Sequence, residues 1–236
     1  MMIHGAAARP ENFRMFWRET VRQMVDIGVG SFLIVAVISV FIGAVTAVQF
    51  AYQIVDNPLV PGYYIGWVVR DSTILELAPT LSCLILAGKA GSNIASELGT
   101  MRLSEQIDAQ EIMGVNTLGF LVGPRILGAL IVIPMLVTIG AGLGILGGYF
   151  ATIASGFVTG EEFVKGALTG FKEFSIQLML TKAFVFAFVL TSVACYQGYY
   201  VSRGSVELGQ ASTRAVVYGS ILILLFDYVI ALLLLF

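Results

Sequence analysis

IGVGSFLIVAVISVFIGAVTAVQFAYQIV, residues Ile27–Val55, holds no charged side chain and no proline. At 1.5 Å rise per residue, roughly 20 apolar residues cross the hydrocarbon core of a bilayer, and this run is long enough to do so. The run Ile126–Gly160 is equally free of charge. Strands of a membrane barrel alternate apolar and polar residues over roughly 10 positions. By contrast, FLIVAVISVFIGAV (Phe32–Val45) and LLFDYVIALLLLF (Leu224–Phe236) are apolar on every side. The sequence therefore predicts an all-α, polytopic integral membrane protein.

Composition points the same way. Of the 236 residues, 58% are hydrophobic and only 12% charged, with a mean hydropathy of +0.90, too apolar for an ordinary soluble domain. The net charge of -2 gives no footing for a nucleic-acid partner. No short apolar core followed by a small-residue cleavage site stands near the N-terminus, so a removable signal peptide is not expected. Cys83 and Cys195 fall inside apolar runs, where a thiol behaves as a small hydrophobe.

Membrane spans are expected at 28–54, 71–94, 119–152, 175–200 and 213–235. With the N-terminus on the cytoplasmic side, Arg9, Arg14, Arg18, Arg22, Lys89, Arg102, Arg125, Arg203 and Arg214 lie inside or at its border. Only Arg70, Lys165, Lys172 and Lys182 lie toward the outside. That asymmetry favours a cytoplasmic N-terminus and an external C-terminus. Ahead of the first span, residues 10–26 place Phe13, Phe16, Trp17, Val21 and Met24 on one side of a helix and Arg14, Arg18 and Arg22 on the other. This is the pattern of an amphipathic interfacial helix, with a helix packed on the bundle as the alternative. Gly140, Gly142, Gly144, Gly147 and Gly148 allow close helix packing along the third span. Pro79, Pro124 and Pro134 start or kink the helices they occupy, and a short surface helix is expected between 155 and 174.

Enzyme chemistry finds little support. His4 is the only histidine, two separated cysteines cannot build a usual zinc site, and no Ser-His-Asp set is available. A P-loop is absent too, so ATP-driven work would need an ATPase on another chain. Three ionisable residues within the spans are costly to bury and are functional candidates: Glu76, Lys182 and Asp227. Lys182 could pair with Glu76 or Asp227, and a purely structural ion pair is an equal alternative. An ion- or proton-coupled carrier could use the same three as a relay. Between the second and third spans, Glu105, Asp108 and Glu111 recur every three residues and share much of one helix face. Ser104 suits its N-cap and Gly114 its stop. From the residues alone this is either a solvated loop helix or a docking element.

The order ELAP (76–79), AGKAGSNIASELGTM (87–101), EQIDAQEIMGV (105–115) and the pair Pro124-Arg125 resembles the MlaE/YrbE permeases, the membrane subunits of lipid-transporting ABC systems. QGYYVSRGSVELGQASTRAVV (197–217) extends the resemblance over nearly the whole chain. It implies that residues 97–114 form a cytoplasmic coupling segment, with Glu97, Gly99, Met101, Glu105, Gln106, Asp108, Glu111 and Met113 docking on the ATPase. It implies that Glu76, Lys182 and Asp227 line or support a lipid cavity. Leu75 and Lys89 stand where many family members have Arg. The resemblance further implies a homodimer, a cytoplasmic ABC ATPase dimer that binds ATP and Mg, an MCE-domain ring above the membrane, a small cytoplasmic regulatory protein, and phospholipid as cargo. The place would be a bacterial inner membrane, with the C-terminus periplasmic and no cofactor on this chain.

Overall fold

The computed structural model describes residues 13–55, 61–156, 158–202 and 204–235. Among the described residues every regular element is helical. Five helical stretches are long and apolar enough to cross a membrane: Arg14–Ile54, Tyr64–Leu103, Leu118–Ser155, Glu173–Tyr199 and Gly204–Leu234. All five expected spans are present, and each is longer than the sequence reading gave.

The first helix, α1, runs unbroken from Phe13 to Val55. The amphipathic stretch is therefore continuous with the first span, because no proline stands between them to stop the ladder. Thr20 and Gln23 are buried, whereas Trp17 and Val21 lie exposed, as do Arg14, Arg18 and Arg22. The expected residues 10–12 lie outside the described ones.

The second span is built from α2 (Tyr64–Ser72), a wide π-helical stretch Thr73–Leu81, α3 (Ser82–Leu86), a second π turn Ala87–Gly91 and α4 (Ser92–Leu103). Each widening has a local cause. Pro79 cannot donate to the carbonyl four residues back, and AGKAG holds two glycines. The third span repeats the device: the π turn Leu118–Val122 precedes α6 (Gly123–Ser155), whose first turn carries Pro124. Pro134 lies inside α6. Then follow α7 (Gly160–Leu168), α8 (Glu173–Tyr199) and α9 (Gly204–Leu235). The expected short helix after residue 155 is α7, and Thr159 and Glu162 form a capping box at its start.

The chain divides into two compact units. One comprises Phe32–Ser82 and Met135–Ala183. Its core joins Ala47, Ala51, Ile65, Val69 and Phe163. Here α1 and α6 meet backbone to backbone: a Cβ on Gly43 would strike the Gly144 carbonyl, and one on Gly147 the Val40 carbonyl. Gly148 packs on Val69, whereas Gly142 faces open space. The glycines of the third span are packing devices, as their spacing suggested. Gly66 and Gly166 seat α2 on α7 in the same way. Arg70 closes that contact. Buried, it donates from Nη1 to the carbonyls of Ala167 (2.8 Å) and Thr169 (2.9 Å) at the α7 C-terminus, and pairs with Asp71. A cation on the last carbonyls complements the negative helix end.

The other unit comprises residues up to Ser31, Cys83–Pro134 and Phe184 onward. In it α4 lies on α9, with the Ser96 and Ser212 hydroxyls 2.7 Å apart and Gly99 under Leu208. Gly198 lets α8 approach the backbone at Ala95.

Candidate functional site

Within the unit holding Phe32–Ser82, Lys182 of α8 meets Glu76 of the π stretch, Nζ to Oε2 at 2.7 Å. Lys182 also donates to the Leu75 carbonyl at 3.1 Å. Residue 75 stands four before Pro79, which has no N–H to offer it, so the Leu75 carbonyl can serve as a second acceptor for the buried ammonium. The pair is lopsided. The Lys182 side chain is 1% exposed and that of Glu76 51%. The group offered at this face of an apolar helix is therefore a carboxylate edge, with its counter-ion enclosed behind it. Thr80 donates to the other carboxylate oxygen at 3.4 Å. Of the two partners open to Lys182 on sequence grounds, Glu76 shares its unit and meets it. Asp227 belongs to the other unit, buried on α9.

The second candidate is the hairpin between the second and third spans. Helix α4 ends at Leu103, and α5 spans Gln106–Ile112. Glu105 links them in the left-handed region, with φ 57°. Ser104 is not the N-cap of α5. Its hydroxyl turns back to the Thr100 carbonyl at 2.8 Å, closing α4, because serine bonds a preceding carbonyl as readily as a following N–H. Gly114 does stop α5. With φ 82° it forms a Schellman turn, in which Gly114 N–H reaches the Glu111 carbonyl and Val115 N–H the Gln110 carbonyl, both at 3.0 Å.

The eight residues expected to dock fall into four environments. Glu105, Gln106 and Met113 are exposed, and Ile112, which sequence reasoning missed, is the most exposed at 87%. Asp108 and Glu111 turn toward Arg102, at 2.6 and 4.0 Å. Gly99 is buried under Leu208 and Val201, so it serves packing and leaves the surface set. Glu97 and Met101 line a groove of about 770 Å³ between α1 and α4, shared with Asp26, Lys89 and Asn93. Lys89 donates to the Gly30 carbonyl across it. Glu97 also holds Arg125, at 2.9 Å. Arg125 is buried and donates to the Leu121 carbonyl of the preceding π turn at 2.7 Å. It is a buried charge like Lys182, and its place at the edge of an apolar run gives no sign of this in the sequence. Among the described residues no group of His, Cys, Asp and Glu could hold a metal ion.

Five apolar helices, a lysine of α8 enclosed behind the half-exposed carboxylate of Glu76, and a charged hairpin between the second and third spans define a multi-pass helical membrane protein. The family model described as "Permease MlaE" matches residues 20–233, and the chain belongs to that family. It is 37% identical over 214 residues to a probable ABC transporter permease protein of Rickettsia prowazekii, covering 89% of this chain and 80% of that one. Over 231 residues it is 30% identical to the intermembrane phospholipid transport system permease protein MlaE of Haemophilus influenzae, covering 97% and 87%. A chloroplastic protein of Arabidopsis thaliana, trigalactosyldiacylglycerol 1, is 26% identical over 218 residues, covering 92% and 62%.

Proposed function

We propose that this chain is the permease subunit of an ABC transporter that moves phospholipid between the inner and outer membranes, driven by a separate ATPase that docks on residues 97–114. The observation that carries the docking is the tip of α5. Ile112 and Met113 stand 87% and 71% exposed at the end of a short helix whose other end carries the exposed Glu105 and Gln106. A bare apolar pair on an acidic helix suits a partner surface with an apolar pocket and basic side chains along it. Relatives named as ABC transporter permeases, one of them for intermembrane phospholipid transport, support the cargo and the class.

In this reading the tip of α5 and the N-terminus are cytoplasmic and the C-terminus periplasmic, in keeping with the excess of Lys and Arg on that side. The membrane is the bacterial inner membrane. Two copies of the chain pair with two ATPases, which bind ATP and Mg. An MCE-domain ring receives lipid above, and a small cytoplasmic regulatory protein completes the assembly. Glu76 presents its carboxylate to the lipid path, and Lys182 holds it in place. Closure of the ATPases, passed on through residues 97–114, narrows the lipid cavity.

The test is co-purification of the chain with an ATPase expressed beside it, for wild type and for Ile112→Asp with Met113→Asp. Two charges in an apolar groove should remove the ATPase while the permease stays monodisperse. Retention at the wild-type ratio would place the dock elsewhere.

A further inference from the structure

The carboxylate of Glu111 is directed toward two hydroxyls behind α5. Tyr199, the last residue of α8, donates from its phenol to Glu111 Oε1 at 2.8 Å, and Thr117 Oγ1 lies 3.1 Å from the same oxygen. The two hydroxyls are themselves 2.8 Å apart. Each carries one proton, so the triangle is satisfied when Tyr199 donates to Glu111 and Thr117 donates to either of them. Both hydroxyl residues are buried, and a hydrogen bond to a charged acceptor is about twice as strong as a neutral one. Arg102 stands beside them, its guanidinium carbon 5.8 Å from the centre of the Tyr199 ring.

We infer that Tyr199, together with Thr117, is a positioning residue of the coupling hairpin: it fastens the far end of α5 to the end of the fourth span and the entry of the third. This rests on the reading of residues 97–114 as the ATPase dock. Along the chain α5 hangs from α4 through Ser104 and the left-handed Glu105, a two-residue joint about which a short helix can pivot. Ile107, fully buried, and the Arg102–Asp108 pair hold the near end. The Glu111 triangle holds the far end, immediately before the exposed Ile112 and Met113. A push on that tip therefore reaches α8 through side chains as well as α4 and α6 through the backbone. With the triangle opened, the tip still docks, and the push is absorbed by rotation of α5 about Glu105.

The experiment uses the permease co-purified with its ATPase and reconstituted in vesicles carrying a fluorescent phospholipid, comparing Tyr199→Phe, Thr117→Val and Thr117→Ser with wild type. The two quantities read are ATPase bound per permease and lipid moved per ATP hydrolysed. Tyr199→Phe and Thr117→Val should bind the ATPase at the wild-type ratio and move at least fivefold less lipid per ATP. Thr117→Ser, which keeps the hydroxyl, should stay within twofold of wild type. Wild-type lipid per ATP in both disabled variants would overturn the inference, as would loss of the ATPase from them, since the cluster would then build the dock and not transmit through it. If wild type itself carries no ATPase, the docking reading fails and takes this one with it. Amide exchange over residues 106–113 in the permease alone supplies a readout independent of the ATPase: it should quicken at least tenfold in Tyr199→Phe, and an unchanged rate would count against the clamp.

Discussion

Replacing Glu76 by Gln leaves the ammonium of Lys182 enclosed at 1% exposure, with the Leu75 carbonyl and a neutral amide in place of a carboxylate. Breaking a buried ion pair by removing one partner costs about 3–5 kcal/mol. Gln keeps an acceptor near Nζ, Lys182 keeps its contact with Leu75 and the carboxylate removed was half exposed, so the cost falls below that range, at about 2–3 kcal/mol. For a chain of this size a destabilisation of 1 kcal/mol lowers the melting temperature by roughly 2–4 °C, so Glu76→Gln should melt about 4–12 °C below wild type. The mirror change is milder. Lys182→Met leaves a carboxylate whose side chain is 51% exposed and which still accepts from Thr80, and it should cost about 1 kcal/mol. Carrying both changes removes both charges, and the double variant should recover to within about 1 kcal/mol of wild type, since well-packed neutral replacements of buried pairs are often neutral. The assay is thermal melting in detergent, followed by the monodisperse fraction on size exclusion. Glu76→Gln melting within 1 °C of wild type, or a double variant that loses the sum of the two single effects, would refute the reasoning from burial.

Three further outcomes follow from the packing. Arg70→Ala removes the cation from the carbonyls at the end of α7 and should speed amide exchange over residues 160–172, at a cost of about 1–3 kcal/mol; unchanged exchange would show that α7 holds its own end. Gly147→Ala drives a methyl group into the Val40 carbonyl and should destabilise by about 1–3 kcal/mol, measured by melting, while Gly142→Ala, which meets open space, should melt as wild type does. Gly114→Ala must hold φ at 82° and should cost about 1 kcal/mol, loosening α5 without touching Ile112 or Met113; amide exchange across α5 checks it.

Much of this was legible because membrane helices are strict about charge. Glu76 and Lys182 announce themselves as ionisable groups within apolar runs, and Pro79 marks where the backbone leaves an acceptor for Lys182. The close approach of α1 and α6 follows from glycine spacing. Arg70 was read only as a charge on the outer side, and Arg125 only as one on the inner side, because a count by side ignores what each guanidinium reaches. Ser104 was misassigned because both ends of a helix welcome serine, and the left-handed Glu105 that decides the matter has no residue preference to betray it. The Tyr199–Glu111–Thr117 cluster joins residues 88 apart in the chain at its widest. Nothing in a tyrosine at the end of a span says where its hydroxyl goes. Ile112 was passed over because an apolar residue at the end of a short helix reads as core, and only its exposure identifies it as a contact surface.

The central claim is that an ATPase made by another gene sits on the tip of α5. A photo-activated cross-linking residue placed at position 112, in the full-length chain in its native membrane, tests it most directly, with position 233 on α9 as the control. One strong adduct is expected at position 112, identified by mass spectrometry as a P-loop ATPase, and none of it at position 233. An ATPase captured equally at both positions, or lipid alone captured at 112, would contradict it.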